Sequence, residues 1–270
     1  MKKVYLTLIA VVRDQEHYVK EWLAFHRIVG VERFVVMLHK CADRTEERIR
    51  ELPFRDDIFI HHVADQNVGG GPSIQMGAYH WAVRNYGHDS RWLLFIDSDE
   101  FFFGTTEDHL PTILRRYEKH GGLAAHWLNF GHNNQVLRPE GLSVEAFTRR
   151  MGGNMDLNRV VKCAVQTRQL TSLMSPHRQL TIDPIVREHG DPLEANHFWT
   201  AKPASWDIVR CNHYHTRSME DWVERCKRGS CNTVYANRET YDVKRFIGRG
   251  GDVEDTTILR FAERIREALQ

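Results

Sequence analysis

Acidic residues that could bind a metal ion follow a strongly apolar run, at Asp97, Asp99 and Glu100. The preceding residues 92–96 are all apolar, which predicts a strand buried on both faces in the middle of a parallel sheet. Ligands of such sheets bind outside the carboxyl ends of the strands, where these carboxylates lie. Two aspartates one residue apart suit a hard divalent cation that also holds phosphate oxygens, whereas an isolated pair of this kind is often only a solvated turn.

Strands and helices alternate through the first hundred residues, and this arrangement would position the carboxylates. Apolar runs predict strands at residues 4–12, 33–38, 57–63 and 92–96. Apolar residues at helical spacing predict helices at residues 18–30, 43–52 and 74–82. This alternation is typical of βαβ units, so we expect a mostly parallel, Rossmann-like α/β sheet flanked by helices, with the strand ends lining one crevice.

The second half of the chain is less regular. We expect further helices at residues 110–120, 142–150, 219–228 and 256–269. We expect further strands at residues 123–130, 160–165 and 208–214. Residues 183–202 are polar and irregular, which indicates a functional loop. The glycine-rich loop at residues 69–73 either cradles a phosphate or is a flexible turn, and the turn is the simpler interpretation.

Composition narrows the class of protein. The 270 residues carry 37 Lys and Arg against 36 Asp and Glu, which argues against a nucleic-acid partner. The five cysteines contain no Cys-x-x-Cys, so neither a disulfide framework nor a zinc knuckle is indicated. No apolar run approaches the roughly 18 residues of a membrane-spanning helix. We therefore expect a cytoplasmic protein, and the arginine-bearing last helix leaves peripheral contact with the inner face of a membrane open.

Short motifs along most of the chain resemble, in order, those of family 92-type glycosyltransferases. Residues 95–101 resemble the acidic "DxDEF" signature of that family, and residues 212–218 resemble its "NHYxtKS" segment. Further matches lie at residues 21–31, 75–79, 127–131, 138–147, 161–162, 222 and 228–229. The chain departs from the family after the second strand, where residues 39–43 replace an acidic, asparagine-rich turn and only Asp43 is kept.

The resemblance implies a single-domain GT-A fold and glycosyl transfer from a nucleotide sugar. It implies His213 as a third metal ligand beside Asp97 and Asp99, and an imidazole with carboxylates favours Mn²⁺ over Mg²⁺. Arg217 would then reach the same diphosphate as a charge clamp. The residues expected to contact the nucleotide sugar are Arg13, Asp43, Gln75, Asp97, Lys162 and Arg217.

Several of these residues have a plain structural alternative. His213 could be a core histidine, Lys162 an edge lysine that extends to solvent, and Asp43 a helix N-cap. His213 and His215 alternate along a predicted strand, so we expect their side chains to point to opposite faces.

The catalytic base is expected on a helix after the acceptor-side strand, because the resemblance implies an inverting enzyme. Glu145 fits that position best, and an ordinary surface glutamate is the alternative. The other carboxylates that remain open are Asp156, Glu188, Asp191 and Glu194.

These observations predict a metal-dependent, inverting hexosyltransferase. The donor would be a nucleotide sugar, UDP-linked by preference, and the acceptor a glycan or lipid-linked glycan, as in assembly of bacterial surface polysaccharide. Residues 1–100 would bind the donor, residues 101–230 would complete the metal and acceptor sites, and residues 231–270 would form a helical tail. A sugar-1-phosphate nucleotidyltransferase is the enzymatic alternative, although the glycine-rich loop it needs after the first strand is missing. The alternative that is not an enzyme is a catalytically inactive glycan-binding module.

Overall fold

The computed structural model describes residues 2–64, 73–153, 155–196, 199–228 and 243–270. The first part of the chain folds as the strands β1 (Val4–Val12), β2 (Arg33–His39), β3 (Ile58–Val63) and β4 (Ser90–Phe95). The helices between them are α1 (Val19–Ile28), α2 (Thr45–Arg50) and α3 (Ile74–Tyr86). The alternation predicted from the apolar runs is confirmed. The glycine-rich loop lies outside the described residues, except for Ser73, which caps α3 by accepting a hydrogen bond from the Met76 N–H.

The second part of the chain contains more strands than helices. Its strands are β5 (Glu100–Gly104), β6 (Gly122–Asn129), β7 (Arg149–Arg150), β8 (Val161–Gln166), β9 (Leu170–Ser175), β10 (Arg178–Thr181), β11 (Ile185–Arg187), β12 (Ala195–Asn196), β13 (Trp199–Thr200), β14 (Val209–His213) and β15 (Val253–Glu254). Its helices are α4 (Leu110–Arg115), α5 (Ser143–Ala146), α6 (Met219–Arg228), α7 (Val243–Ile247) and α8 (Ala262–Ala268).

Nine of the described strands form the central sheet. Their order is β3-β2-β1-β4-β8-β6-β14-β5, and β11 pairs with β6 outside this path. Parallel pairs predominate, whereas β8 runs antiparallel to both β4 and β6, and β5 runs antiparallel to β14. The α/β sheet expected from the sequence is therefore confirmed.

Helices cover both faces of the sheet. On one face α1 packs with the C-terminal helix, and Phe25 contacts Phe261 edge to face at a ring-centroid distance of 5.2 Å. On the other face α3 packs Met76, Tyr79 and Ala82 against the strands. This burial on both sides explains why β1, β2 and β4 are apolar along most of their length.

The strand predicted at residues 92–96 corresponds to β4, and the aromatic residues after the acidic cluster form a separate strand, because the chain turns at residues 97–99 and β5 pairs with β14. Two predictions about elements were wrong. The helix predicted at residues 142–150 is a single turn, α5, after which Arg149 and Arg150 pair with β15. The loop predicted at residues 183–202 contains β11, β12 and β13. Within the described ranges, no helix combines the length and apolarity needed to cross a bilayer.

Candidate functional site

Asp97, Ser98 and Asp99 form the turn between β4 and β5, called here the acidic turn. The Glu100 N–H donates to the Asp97 carbonyl at 3.1 Å, which closes the turn. The Tyr214 N–H donates to the Asp99 carbonyl at 2.8 Å. The backbone of the acidic turn is therefore tied to the end of β14, where His213 lies.

Helix α1 fixes the strand that follows the acidic turn. The Trp22 indole N–H donates to the Glu100 carbonyl at 2.7 Å, and His26 Nε2 accepts from the Phe102 N–H at 3.3 Å. Burial lowers the pKa of His26 to about 3, so the ring is neutral and can accept this bond. Glu21 accepts from the backbone N–H groups of residues 143 and 144 at the start of α5. These α1 residues, which match a family motif, therefore support the site and do not line it.

Asp97 lies in a buried charge cluster with Lys162 and Glu100. Lys162 Nζ lies 2.7 Å from Asp97 Oδ2 and 3.2 Å from Glu100 Oε2, and the Lys162 side chain has no exposed area. Gln75 Nε2 donates to Asp97 Oδ1 at 2.5 Å and also contacts the Tyr79 hydroxyl at 3.1 Å. The structure thus brings Gln75 and Lys162 to Asp97, as the sequence predicted for a common site.

The protonation of this cluster follows from burial and mutual charge. Burial raises the pKa of Glu100 well above its usual value despite the neighbouring ammonium. Burial acts to lower the pKa of Lys162, but the carboxylates of Asp97 and Glu100 raise it well above its usual value. Burial acts to raise the pKa of Asp97, but Lys162 holds it below the usual range. Asp97 and Lys162 are therefore an ion pair, and Glu100 is the carboxyl group of the cluster that is harder to ionise.

Asp99 and His213 face each other across the site. His213 Nε2 lies 3.8 Å from Asp99 Oδ1, which is too long for a direct hydrogen bond. Burial lowers the pKa of His213 to about 4 although the Asp99 charge opposes this, so the imidazole is neutral near pH 7. Burial acts to raise the pKa of Asp99, but Arg225 and the nearby histidines hold it well below its usual value. The structure therefore places an ionised carboxylate opposite a neutral imidazole.

Asp97, the remaining predicted metal ligand, is not part of this pair. Both carboxylate oxygens of Asp97 have side-chain partners in Gln75 and Lys162. Among the described residues, Asp97, Asp99 and His213 do not form a set of ligand atoms within 4.8 Å of one another. The two sets that do are Asp14, Cys41 and Asp43, and Glu188, His189 and Asp207. Their carboxylates are largely committed to backbone N–H groups, as at Asp43 and Glu188.

Arginines surround the outer side of Asp99. Arg217 lies with its guanidinium carbon 3.8 Å from the Tyr18 ring centroid and donates to Gln15 Oε1 at 2.9 Å and to the Ser98 carbonyl at 3.3 Å. Arg225 of α6 donates to Asp99 Oδ2 at 2.9 Å. With Arg228, these side chains line a cleft whose other walls include Gln15, Tyr18 and Arg138, together with the carboxylates of Asp14, Asp221 and Glu224. The cleft is therefore of mixed charge, with its arginines on the side next to the acidic turn.

Arg13 and Asp43 follow β1 and β2, at the same edge of the sheet. The Arg13 carbonyl accepts from Arg228 Nη1 at 3.0 Å, which ties the loop after β1 to α6. Asp43 accepts from the Glu16 N–H, the Thr45 N–H and the Thr45 hydroxyl. These bonds hold the loop before α2, whose N-cap residue is Arg44, so Asp43 lies one position before the N-cap that the sequence left open for it.

Glu145, predicted as the catalytic base, lies outside this group. It is exposed on α5, and both its oxygens lie 2.6 Å from Nη2 of Arg266 in α8. This is the surface alternative that the sequence left open. Among the other carboxylates, Glu188 accepts three backbone N–H groups and Asp191 pairs with Arg187 and Lys202, whereas Glu194 is exposed. The exposed Asp156 begins a 3₁₀ helix (Asp156–Arg159) whose Asn158 is bonded to Asn129, next to His213.

The prediction that His213 and His215 point to opposite faces was wrong. Residues two apart along a strand share a face, so their spacing does not put His213 and His215 on opposite faces, and β14 ends at His213. The two ring centroids lie 5.4 Å apart. His215 Nδ1 lies 2.9 Å from Arg249 Nη1, which can only donate, so this nitrogen is an acceptor.

Sequence reasoning missed Arg225, Asn129 and the buried Glu100. A signal for Arg225 existed, because it follows Trp222 by three residues on a predicted helix, and residues at this spacing share a face. Asn129 closes an apolar strand, and a polar residue at a strand end is too common to single out. Glu100 was read as one of several carboxylates because its burial depends on β14 and β8.

The chain is similar in sequence to a known family of proteins. The model of the glycosyltransferase family 92 matches residues 8–242. A family 92 protein of Ricinus communis is 27% identical over 232 residues, covering 83% of this chain and 37% of the relative. One of Oryza sativa subsp. japonica is 24% identical over 149 residues, covering 54% of this chain and 25% of the relative. The chain thus spans between a quarter and two fifths of these curated relatives.

Solved structures show more distant similarity. S. aureus TarS (residues 1–349) is 15% identical with a TM-score of 0.38, covering 62% of this chain and 48% of TarS. Glucosyl-3-phosphoglycerate synthase of Mycobacterium tuberculosis, crystallised with Mn²⁺, UDP-glucose and phosphoglyceric acid, is 16% identical with a TM-score of 0.35, covering 63% of this chain and 59% of that chain. Because the family model spans most of the sequence, the resemblance seen in the motifs is confirmed, and the chain belongs to glycosyltransferase family 92.

Proposed function

We propose that the protein is a metal-dependent, inverting glycosyltransferase that moves a hexose from a nucleotide sugar, UDP-linked by preference, to a glycan or lipid-linked glycan. Membership of family 92 supports the reaction class. The observation that carries the metal dependence is the 3.8 Å gap between Asp99 Oδ1 and His213 Nε2, bordered by arginines on one side.

The residues at this gap fit a divalent ion. Carboxylate oxygen and imidazole nitrogen bind first-row dications at about 2.0–2.2 Å, so two ligands of one ion lie up to about 4.3 Å apart. The Asp99–His213 separation falls inside that limit. A neutral imidazole with an ionised carboxylate is a donor set suited to Mn²⁺. Asp99 and His213 would hold the ion, which supplies neutralisation of the diphosphate charge that develops as the glycosidic bond breaks.

The cationic side chains around the ion site would bind and orient the donor. Arg217 and Arg225 lie within hydrogen-bond reach of the acidic turn, where a diphosphate can accept their N–H groups. The Arg217 Nε is buried and has no hydrogen-bond partner among the described residues, so it is available to such an anion. Asp97, held by Gln75 and Lys162, keeps a fixed acceptor beside the sugar and ribose hydroxyls.

Asp156 replaces Glu145 as the proposed base. Its carboxylate is exposed on the 3₁₀ helix that is bonded to Asn129 and lies 3.6 Å from Arg159 Nε, whereas both oxygens of Glu145 lie 2.6 Å from Arg266 Nη2. In this role Asp156 takes the proton of the acceptor hydroxyl as that oxygen attacks the anomeric carbon, and the diphosphate leaves from the opposite face. A positioned general base typically contributes about 10²-fold to 10⁴-fold in rate.

Thermal melting with a panel of nucleoside diphosphates, with and without Mn²⁺, tests the proposal on wild type and Asp99→Asn. A ligand that binds only the folded state raises the melting midpoint by mass action. We expect a Mn²⁺-dependent rise with UDP in the wild type that Asp99→Asn loses. Asp57→Asn is the matched control, because its partly exposed carboxylate pairs with Arg27 and contacts no residue of the acidic turn. A rise with a different nucleoside diphosphate would change the nucleobase that we assign to the donor. No rise with any nucleotide would favour a glycan-binding module.

A further inference from the structure

We propose that Asn158 and Asn129 are positioning residues that fix the tautomer of His213, so that its Nε2 is unprotonated and faces Asp99. The consequence for metal binding rests on the function proposed above, whereas the tautomer itself does not. The chain of contacts runs from the Gly152 carbonyl through the two asparagine amides to the imidazole.

Two backbone groups determine which way the Asn158 amide points. Its nitrogen lies 2.9 Å from the Gly152 carbonyl oxygen, which can only accept. Its oxygen lies 3.2 Å from the Asn129 backbone N–H, which can only donate. Rotating the amide by half a turn would place two acceptors together at one end and two donors at the other. Asn158 therefore has one satisfied orientation.

The orientation of Asn158 determines that of Asn129. The Asn158 oxygen also accepts from the Asn129 side-chain amide nitrogen at 3.0 Å. The Asn129 oxygen must then point the other way, where it lies 2.9 Å from His213 Nδ1. Because an amide oxygen can only accept, Nδ1 carries the hydrogen. In a neutral imidazole the other nitrogen, Nε2, then carries a lone pair.

Burial leaves these groups no competing partner in the part of the chain that the structure describes. Asn158 has no exposed area, and Asn129 and His213 are each 6% exposed. The Trp127 ring lies against the imidazole, with centroids 3.9 Å apart and planes inclined by 30°, which restrains rotation of the ring. A half-turn of the imidazole would also break the bond to Asn129. The ring is therefore held in both orientation and tautomer.

The fixed tautomer prepares His213 to bind a cation. Nε2 faces Asp99 Oδ1 at 3.8 Å, so two electron-pair donors face one another. A metal ion between them would satisfy both. Partners that orient a histidine ligand are typically worth about 10-fold to 100-fold in metal affinity.

The test uses two substitutions of Asn158 that differ in one respect. Asn158→Asp, protonated on the oxygen that faces the Gly152 carbonyl, keeps an oxygen that accepts from both N–H groups of residue 129 and so keeps the Asn129 orientation. Asn158→Leu removes that acceptor, so the Asn129 amide can rotate and His213 can adopt either tautomer. Asn129→Leu, which removes the acceptor of Nδ1–H directly, is the second variant should Asn158→Leu fold poorly.

The first readout is the tautomer of His213 in the metal-free protein, from ¹⁵N–¹H correlation of the imidazole nitrogens, assigned with His213→Gln. The wild type and Asn158→Asp should show Nδ1–H, whereas Asn158→Leu and Asn129→Leu should show a mixture. Wild type with Nε2–H, or Asn158→Leu with an unchanged tautomer, would overturn the proposal.

The second readout is Mn²⁺ affinity by isothermal titration. We expect Asn158→Leu to weaken it about 10-fold to 100-fold, with Asn158→Asp close to wild type. Equal loss in the two variants would indicate a purely structural role and overturn the positioning claim. If the tautomers agree with expectation but the wild type binds no Mn²⁺, the metal site fails while the tautomer inference holds.

Discussion

Replacing Lys162 with methionine tests the buried charge cluster beneath the acidic turn. Lys162 Nζ lies 2.7 Å from Asp97 Oδ2, with no exposed area on the lysine side chain. Methionine fills a similar volume but leaves the Asp97 carboxylate without its counter-charge. Removing one partner of a buried ion pair costs about 3–5 kcal/mol. Since about a third of the Asp97 side chain reaches solvent, which can hydrate it, we expect a loss near the lower end, about 3 kcal/mol.

The loss should depend on pH in a direction that the cluster determines. Without Lys162, burial raises the pKa of Asp97 above its unfolded value of about 3.9. Between those two pKa values the folded variant binds more protons than the unfolded chain, so its stability falls as the pH rises. In the wild type Lys162 holds the pKa of Asp97 below the usual range, so Asp97 adds no such slope above about pH 3.9. The difference between the two proteins should therefore shrink from about pH 7.5 to about pH 5.

Urea denaturation at both pH values measures this difference. Lys20→Met is the matched control, because Lys20 forms a partly exposed ion pair with Glu51 at 3.1 Å. Such surface pairs contribute about 0–1 kcal/mol. A loss in Lys162→Met no larger than in the control, or one that grows as the pH falls, would refute the buried ion pair.

Three further predictions follow from protonation and position. Because burial raises the pKa of Glu100, the wild type should lose stability relative to Glu100→Gln as the pH rises above about 4.3. The difference in the free energy of unfolding should change by up to about 1.4 kcal/mol per pH unit, and a constant difference would contradict this. Burial lowers the pKa of His26 to about 3, so as the pH falls below about 6.5 this histidine is protonated in the unfolded chain before it is protonated in the folded protein. The free energy of unfolding should therefore decrease as the pH falls below about 6.5. In urea denaturation at a series of acid pH values, the free energy of unfolding of His26→Gln should depend less steeply on pH than that of the wild type, by about one bound proton. Equal slopes would refute the neutral ring. In transfer assays, Asp156→Asn should lower kcat about 100-fold or more while Glu145→Gln stays near wild type; the reverse would restore Glu145 as the base.

The first half of the fold could be predicted because its signals are local. Strands β1, β2 and β4 are buried on both faces, so each is an apolar run that needs no knowledge of its neighbours. The second half could not be predicted as well. Several strands after residue 140 are short and pair with partners far along the chain, as where β7 pairs with β15.

The sequence by itself determined that an Asp-x-Asp turn ends an apolar strand and that motifs of glycosyltransferase family 92 run in order along the chain. Both depend on residues close together in sequence. Only the tertiary structure decided which partner each carboxylate has. Strand β8 lies antiparallel beside β4 and brings Lys162 to Asp97 across 65 residues, while α6 brings Arg225 to Asp99 across 126. The physical reason is that sheet order and helix packing, which spacing does not encode, set the distances on which charge pairing and proton positions depend.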